Sequence, residues 1–323
     1  MIFPIIVFLA SCAALYFVGN WMIDGLSRVA RFLELREFVV AFILMALTAT
    51  LPNLFVGILS VIHKVPVLSF GDVVGGNVID LTLAIGLAIL FSKKSTVEAE
   101  SRTVQATAVF SLFAALLPVI LIWDNSLSRA DGAVLIGLFV LFILWLFAKK
   151  ERFTRTYSLE ERHGKEVFSG FRDFFQGLGK IIIGAALLIL AAEGIVRSAS
   201  AFSVFFGLPL GLIGILIVGL GNALPETYFA VASAKKGETW MILGDLMGSV
   251  IMPATLVLGI VALFSPIKNI DFSPFLIARI FLVIAAAFFY LFIRTGKELT
   301  KKEAAFLLLL YLTFLGIEIF RLV

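Results

Sequence analysis

The chain carries one apolar stretch twice. Residues 41–91 and residues 214–264 align without a gap at a constant offset of 173. Leu51-Pro52 matches Leu224-Pro225, Ser60 matches Ser233, and Gly71-Asp72 matches Gly244-Asp245. Gly75 matches Gly248, and Leu90-Phe91 matches Leu263-Phe264. A fold that repeats a Pro-interrupted apolar segment in corresponding places of two halves is constrained to place those segments at the interface between the halves, at the depth of the bilayer centre.

The medium is a membrane. The chain of 323 residues is 61% hydrophobic and 15% charged, with mean hydropathy +1.09. A soluble domain carries about 25% charged residues. The apolar runs reach the roughly 20 residues that a helix needs to cross a bilayer. They are continuous rather than alternating, which selects helices over barrel strands. Ten spans are expected, at roughly 3–19, 37–62, 68–92, 103–122, 131–149, 177–197, 208–234, 239–265, 272–293 and 303–322, with ends uncertain by about 2–4 residues. The expected organisation is a five-helix first repeat (1–149), a charged linker (150–176) and a five-helix second repeat (177–323).

The basic pI of about 9.2 does not point to nucleic acid, because the cations sit in loops between the apolar runs. Arg28, Arg31, Arg36, Lys93, Lys94, Arg102, Lys235, Lys236, Arg294, Lys297, Lys301 and Lys302 fall, with the linker cluster, on one side of the alternating topology. Lys64, Arg129, Arg197, Lys268 and Arg321 fall on the other. The positive-inside rule therefore puts both termini on the non-cytoplasmic side. Five spans per half is odd, so the halves insert upside down relative to each other. Such an inverted repeat suits alternating access. The one cysteine, Cys12, allows no internal disulfide. No Lys or Arg precedes it, so the first apolar run reads as a membrane helix rather than a signal peptide.

The chemistry concentrates around the duplicated prolines. Proline lacks an N–H and clashes with the preceding turn, which frees carbonyls in mid-helix. A packing kink is the plain alternative, but Glu226 directly follows Pro225, and an ionisable residue in the membrane is costly. Asp72, Gly76 and Asp80 share one helix face at i, i+4, i+8 spacing; Asp245, Ser249 and Pro253 share the matching face. Asp80 lies deep in its span, where an unpaired carboxylate is expensive. Asp72 and Asp245 sit nearer the helix starts and serve either as caps or as ion-path residues. Carboxylates with freed carbonyls are hard oxygen ligands of the kind Ca²⁺ takes. His63 reads as a solvated loop residue, and Asp24 and Glu193 as interfacial or route-lining groups. No Walker loop, zinc spacing or nucleophile arrangement supports an ATP-driven pump or an enzyme, and no cofactor is expected.

The pair of LP-[NE] segments, each followed by G-D-x-x-G-[GS], resembles the alpha repeats of the cation/Ca²⁺ antiporter superfamily, which includes the sodium/calcium exchangers. The family pattern is G-T-S-L-P-E, then G-N-x-x-G-S-N. The resemblance implies an all-α membrane fold of ten helices in two inverted repeats. It also implies a secondary antiporter exchanging Ca²⁺ for Na⁺, K⁺ or H⁺, with the first and sixth helices sliding or rocking against the core. By position, Glu226 matches the central glutamate of the second repeat, Thr50 a hydroxyl ligand and Ser249 the serine of the second G-S pair. Asn53 stands where the other central glutamate belongs, Pro253 where an acid is common, and Asp80 at its repeat mate, where Asn is common. Ala49 and Ala223 replace hydroxyl ligands, Gly76 replaces a serine, and Asn222 makes the second motif GNALPE.

The ligand set expected on this basis is Glu226 and Asp80 for charge, with Asn53, Thr50, Asn222 and Ser249 as neutral donors, and Asp72 and Asp245 as flanking acids. Two other readings follow from the departures: an Na⁺/H⁺ or other divalent exchanger, and a non-transporting scaffold or sensor of the same fold. A lipid bilayer, Ca²⁺ and a monovalent counter-ion are the expected partners. A prokaryotic plasma membrane is the expected location.

Overall fold

The computed structural model describes all residues except 33–36, 94–95, 100–101, 149–166, 238, 269–274 and 323. The first half begins with α1 (Ile2–Phe32) and α2 (Glu37–Ile62). Then α3 (Pro66–Ile79) passes through a π-helical turn, Asp80–Ala84, into α4 (Ile85–Leu90). A short strand β1 (Thr96–Glu98), α5 (Arg102–Leu121) and α6 (Arg129–Ala148) follow. The second half begins with α7 (Val167–Phe206). The short α8 (Leu210–Ile213) runs through a π turn, Gly214–Val218, into α9 (Gly219–Lys236). α10 (Thr239–Met252) passes through the π turn Pro253–Val257 into α11 (Leu258–Phe264), and α12 (Leu276–Gly296), β2 (Glu298–Thr300) and α13 (Lys301–Leu322) complete the chain.

Among the described residues nine helices are long and apolar enough to cross a membrane, and the apolar stretch Thr50–Ile62 of α2 adds to them. The chain is an integral membrane protein of all-α fold. The expected linker falls outside the described residues over 150–166, and residues 167–176 form the first turns of α7.

Two features of helix shape bear on the site. First, the helices run through the Leu-Pro motifs, as the expected spans 37–62 and 208–234 do: Pro52 lies inside α2 and Pro225 inside α9. Each proline removes one backbone bond while the neighbouring turns keep theirs, so the helix continues and only the carbonyl four residues earlier loses its donor. Second, the irregularity sits elsewhere, in the matched π turns Asp80–Ala84 and Pro253–Val257. Proline starts only one of them, so it is not their common cause. What they share is a threonine. Thr82 donates its hydroxyl to the Val78 carbonyl, and Thr255 donates to the Ile251 carbonyl at 2.6 Å. Threonine back-bonding of this kind also occurs in the regular part of α9, where Thr227 donates to the Ala223 carbonyl, so it accompanies the widened turns and does not by itself produce them.

Packing divides the apolar interior in two. One cluster joins α1, α2 and α7 through Phe8, Leu15, Leu59, Leu188 and Ile195; the other fills the rest of the bundle. α1 and α7 approach closely at small residues. A Cβ on Gly25 would stand 2.8 Å from the Gly177 carbonyl, and one on Gly194 would stand 2.1 Å from the Ser11 hydroxyl. Small residues give membrane helices their contact area, because lipid supplies little hydrophobic drive. The α3 helix nests the same way against the π turn before α9. A Cβ on Gly71 would meet the Gly211 carbonyl at 2.1 Å, and one on Gly75 the Ile215 carbonyl at 2.2 Å.

The halves are also clasped outside the helices. β1 pairs antiparallel with β2, Val97 opposite Leu299. A single bridge joins Leu127 to Ile267. Both clasps adjoin a reciprocal cap. Thr300 and Glu303 exchange bonds at the start of α13, with Glu303 accepting from the Thr300 amide at 2.7 Å. Ser128 and Asp131 do the same at the start of α6, Asp131 accepting from the Ser128 amide at 2.8 Å. This is the capping-box arrangement. It recurs at the corresponding helix of each repeat.

Candidate cation site

α2, α3, α9 and α10 meet at a small cavity lined by Asn53, Asp72, Val73, Gly76, Asn77, Asp80, Asn222, Ala223, Glu226, Ser249 and Pro253. Its free volume is about 10 Å³, room for the centre of one water-sized sphere. Both repeats contribute. Each Leu-Pro motif delivers its next residue, Asn53 or Glu226, and each following helix delivers its polar face.

Six of the eight residues anticipated from the sequence line this cavity: Asn53, Asp72, Asp80, Asn222, Glu226 and Ser249. Thr50 is fully buried but outside the lining, about one turn before Asn53 on α2. Asp245 is half-buried, one turn before Ser249 on α10, and is not in the lining. It lies close enough to Asp80 and Glu226 for their charges to interact.

The cap reading of Asp72 and Asp245 does not hold. α3 starts at Pro66 with Val65 as its cap, which puts Asp72 in the second turn and at 1% exposure. Asp245 is likewise well inside α10, which starts at Thr239. Asn77 is a lining residue the repeat comparison passes over, since its mate is the apolar Val250. Its signal was the last position of the motif: Gly71-Asp72-Val73-Val74-Gly75-Gly76-Asn77 ends on the Asn of the pattern G-N-x-x-G-S-N.

The hydrogen bonds sort the oxygens. Asn222 donates from Nδ2 to Asn53 Oδ1 at 3.0 Å and to Asp72 Oδ1 and Oδ2 at 2.9 and 3.1 Å. Ser249 donates to Asp80 Oδ2 at 2.7 Å. Asp80 Oδ1 and Glu226 Oε2 are buried and without a hydrogen-bond partner. Unpartnered buried carboxylate oxygens are costly. They are the lone pairs a cation would satisfy. Among the described residues no three His, Cys, Asp or Glu side chains gather into a compact metal shell. A cation here would meet carboxylate and side-chain amide oxygens, donors that Ca²⁺ accepts.

Charged groups also pair away from the cavity. Asp24 on α1 accepts from Lys180 on α7 and from Arg28. The Lys180 hydrogen bond, more than any other influence, holds the Asp24 carboxyl below its ordinary pKa. His63 is not simply solvated: its Nε2 lies 2.6 Å from Glu193 Oε2, tying the end of α2 to α7.

Comparison with known proteins agrees with this architecture. Residues 3–148 and 177–320 match the family model described as sodium/calcium exchanger protein. The sodium/calcium exchanger MaX1 of Methanosarcina acetivorans is 23% identical over 329 aligned positions, covering 92% of this chain and 93% of the relative. The putative antiporter CaxA of Alkalimonas amylolytica is 25% identical, covering 82% of each chain. A solved structure of the sodium-calcium exchanger NCX_Mj, soaked with Na⁺ and Sr²⁺, superposes with TM-score 0.62 at 24% identity over 98% of both chains, a likeness of fold. With both repeats matched and little of the chain left over, this protein belongs to the sodium/calcium exchanger protein family.

Proposed function

We propose that this protein is a secondary active antiporter that moves Ca²⁺ across a prokaryotic plasma membrane in exchange for Na⁺ or H⁺. The observation that carries the reading is the small cavity between the two repeats, in which Asp80 Oδ1 and Glu226 Oε2 are buried and unpartnered. Two carboxylates balance one divalent charge. Asn77 and the carbonyls released near Pro52 and Pro225 complete an oxygen shell. Ser249 orients Asp80. Family membership and the name of the aligned relative MaX1 support the choice of ions.

Alternation is assigned to the α1–α7 pair, which packs on α2, α3 and the π turn before α9 through one apolar cluster while a second cluster holds the rest of the bundle. Displacing this pair against the bundle exposes the cavity to one face and then the other. The distribution of Lys and Arg supports an orientation with both termini outside the cytoplasm.

The test is uptake of radiolabelled Ca²⁺ into proteoliposomes under an outward Na⁺ gradient, and separately under an outward H⁺ gradient. Uptake driven by one gradient and lost in Glu226→Gln identifies the antiporter and its coupling ion. Folded protein that takes up no Ca²⁺ under either gradient rejects the reading and leaves another ion or a non-transporting relative.

A further inference from the structure

The two repeats treat the same aspartate in opposite ways. In the first, Asp72 Oδ1, Asp72 Oδ2 and Asn53 Oδ1 converge on the Asn222 amide nitrogen at 2.9, 3.1 and 3.0 Å. In the second, the mate of Asp72 is Asp245. The residue matching Asn222 is Ala49, which carries no donor. Asp245 Oδ2 is buried and has no hydrogen-bond partner.

Three oxygens from two helices converging on one point form the kind of shell that hard cations take. At Asp72 the centre of that shell is filled by a nitrogen carrying partial positive charge. A primary amide has two protons for these three acceptors, so the arrangement is set by where the oxygens point and not by one-to-one pairing. Asp72 and Asn222 are nearly fully buried, so water does not do this work.

We propose that Asn222 is a built-in substitute for a cation at Asp72. Its amide takes Asp72 and Asn53 Oδ1 out of the ion shell and confines the transported ion to Asp80 and Glu226. Asn222 is then a positioning residue that sets how many carboxylates a bound ion meets. The inference rests on the cation exchange proposed above. It narrows the ligand set drawn from the sequence: Asp72 is held in reserve, and removing the amide returns it.

The experiment is equilibrium binding of radiolabelled Ca²⁺ to the purified full-length protein, with Asn222→Ala, Asp72→Asn and the double variant. Ca²⁺ affinity rises with the charge of the ligand set, so Asn222→Ala is expected to bind about tenfold more tightly. Asp72→Asn is expected to cost about tenfold more in the Asn222→Ala background than in the native one, a coupling that the double-mutant cycle isolates. Asn222→Ser keeps one donor proton, is expected to fall between, and carries the same cycle if the alanine variant does not fold. Weaker or unchanged binding in Asn222→Ala, or an Asp72→Asn effect equal in both backgrounds, overturns the proposal and makes Asn222 a packing residue or a ligand itself. Native protein that binds no Ca²⁺ overturns the cation reading as a whole, whereas native binding without the coupling overturns this inference alone.

Discussion

Ser249 shares its one hydroxyl proton between Asp80 Oδ2 at 2.7 Å and the Leu246 carbonyl at 2.9 Å, and the Asp80 contact ties the third helix of one repeat to its mate in the other. The bond leaves Asp80 Oδ1 facing the cavity alone. Deleting the hydroxyl leaves both Asp80 oxygens unpartnered and free to turn. Ser249→Ala is therefore expected to weaken Ca²⁺ binding by about tenfold, the size of one hydrogen bond to a charged group. A titration of the variant with Ca²⁺ that matches the native curve would show that Ser249 does not orient the acid.

The glycines of α3 separate by what lies above them. A methyl at Gly71 or Gly75 would drive into the backbone of residues 211 or 215, whereas one at Gly76 meets nothing within 4 Å. Gly71→Ala and Gly75→Ala are expected to lower the yield of folded protein sharply, since overpacking against backbone costs about 1–3 kcal/mol or more. Gly76→Ser is expected to fold, and it adds a hydroxyl to the cavity wall. Size-exclusion profiles of the three variants check this; equal yields would mean the α3 crossing is looser than described.

Asp24 contributes differently with pH. Its carboxyl is held below the ordinary pKa by Lys180, so the stabilisation is present above the ordinary carboxylate range and is lost as the pH falls through the lowered value. The group is about half exposed, and such pairs are worth under about 1 kcal/mol. Thermal unfolding of Asp24→Asn is expected to fall slightly below native at neutral pH and to coincide with it in acid. A gap that persists in acid would assign the effect to packing.

Orientation is accessible to a membrane-impermeant thiol reagent. With Cys12 changed to Ser, Arg129→Cys and Lys301→Cys place single thiols at exposed starts of α6 and α13. Intact cells are expected to label the first and not the second. The reverse pattern would invert the orientation drawn from the loop charges.

The sequence carried the repeat, the spans and much of the cavity, because each rests on local patterns. Glu226 and Asp80 stood out as acids in apolar runs, and offset 173 paired them with Asn53 and Pro253. What it did not carry depends on contacts between distant segments. The π turns begin at Asp80 and Pro253, in apolar runs whose composition does not mark them. Asp72 looks like a helix-start acid until Asn222, from the other repeat, is placed against it. His63 looks solvated until α7 brings Glu193 beside it.

The two strand clasps bear on how the molecule moves. Val97 with Leu299, and Leu127 with Ile267, are counterparts under the inverted repeat, so one fastening lies toward each face of the bilayer. Halves stitched at both rims do not gape like the covers of a book. On the antiport proposed above, the stitched bundle would be the stator, and the α1–α7 pair, joined to it by no strand but by helix packing and the His63–Glu193 contact, would be the part that travels along it. Each stroke would then preserve the carboxylate geometry and change only which doorway stands open.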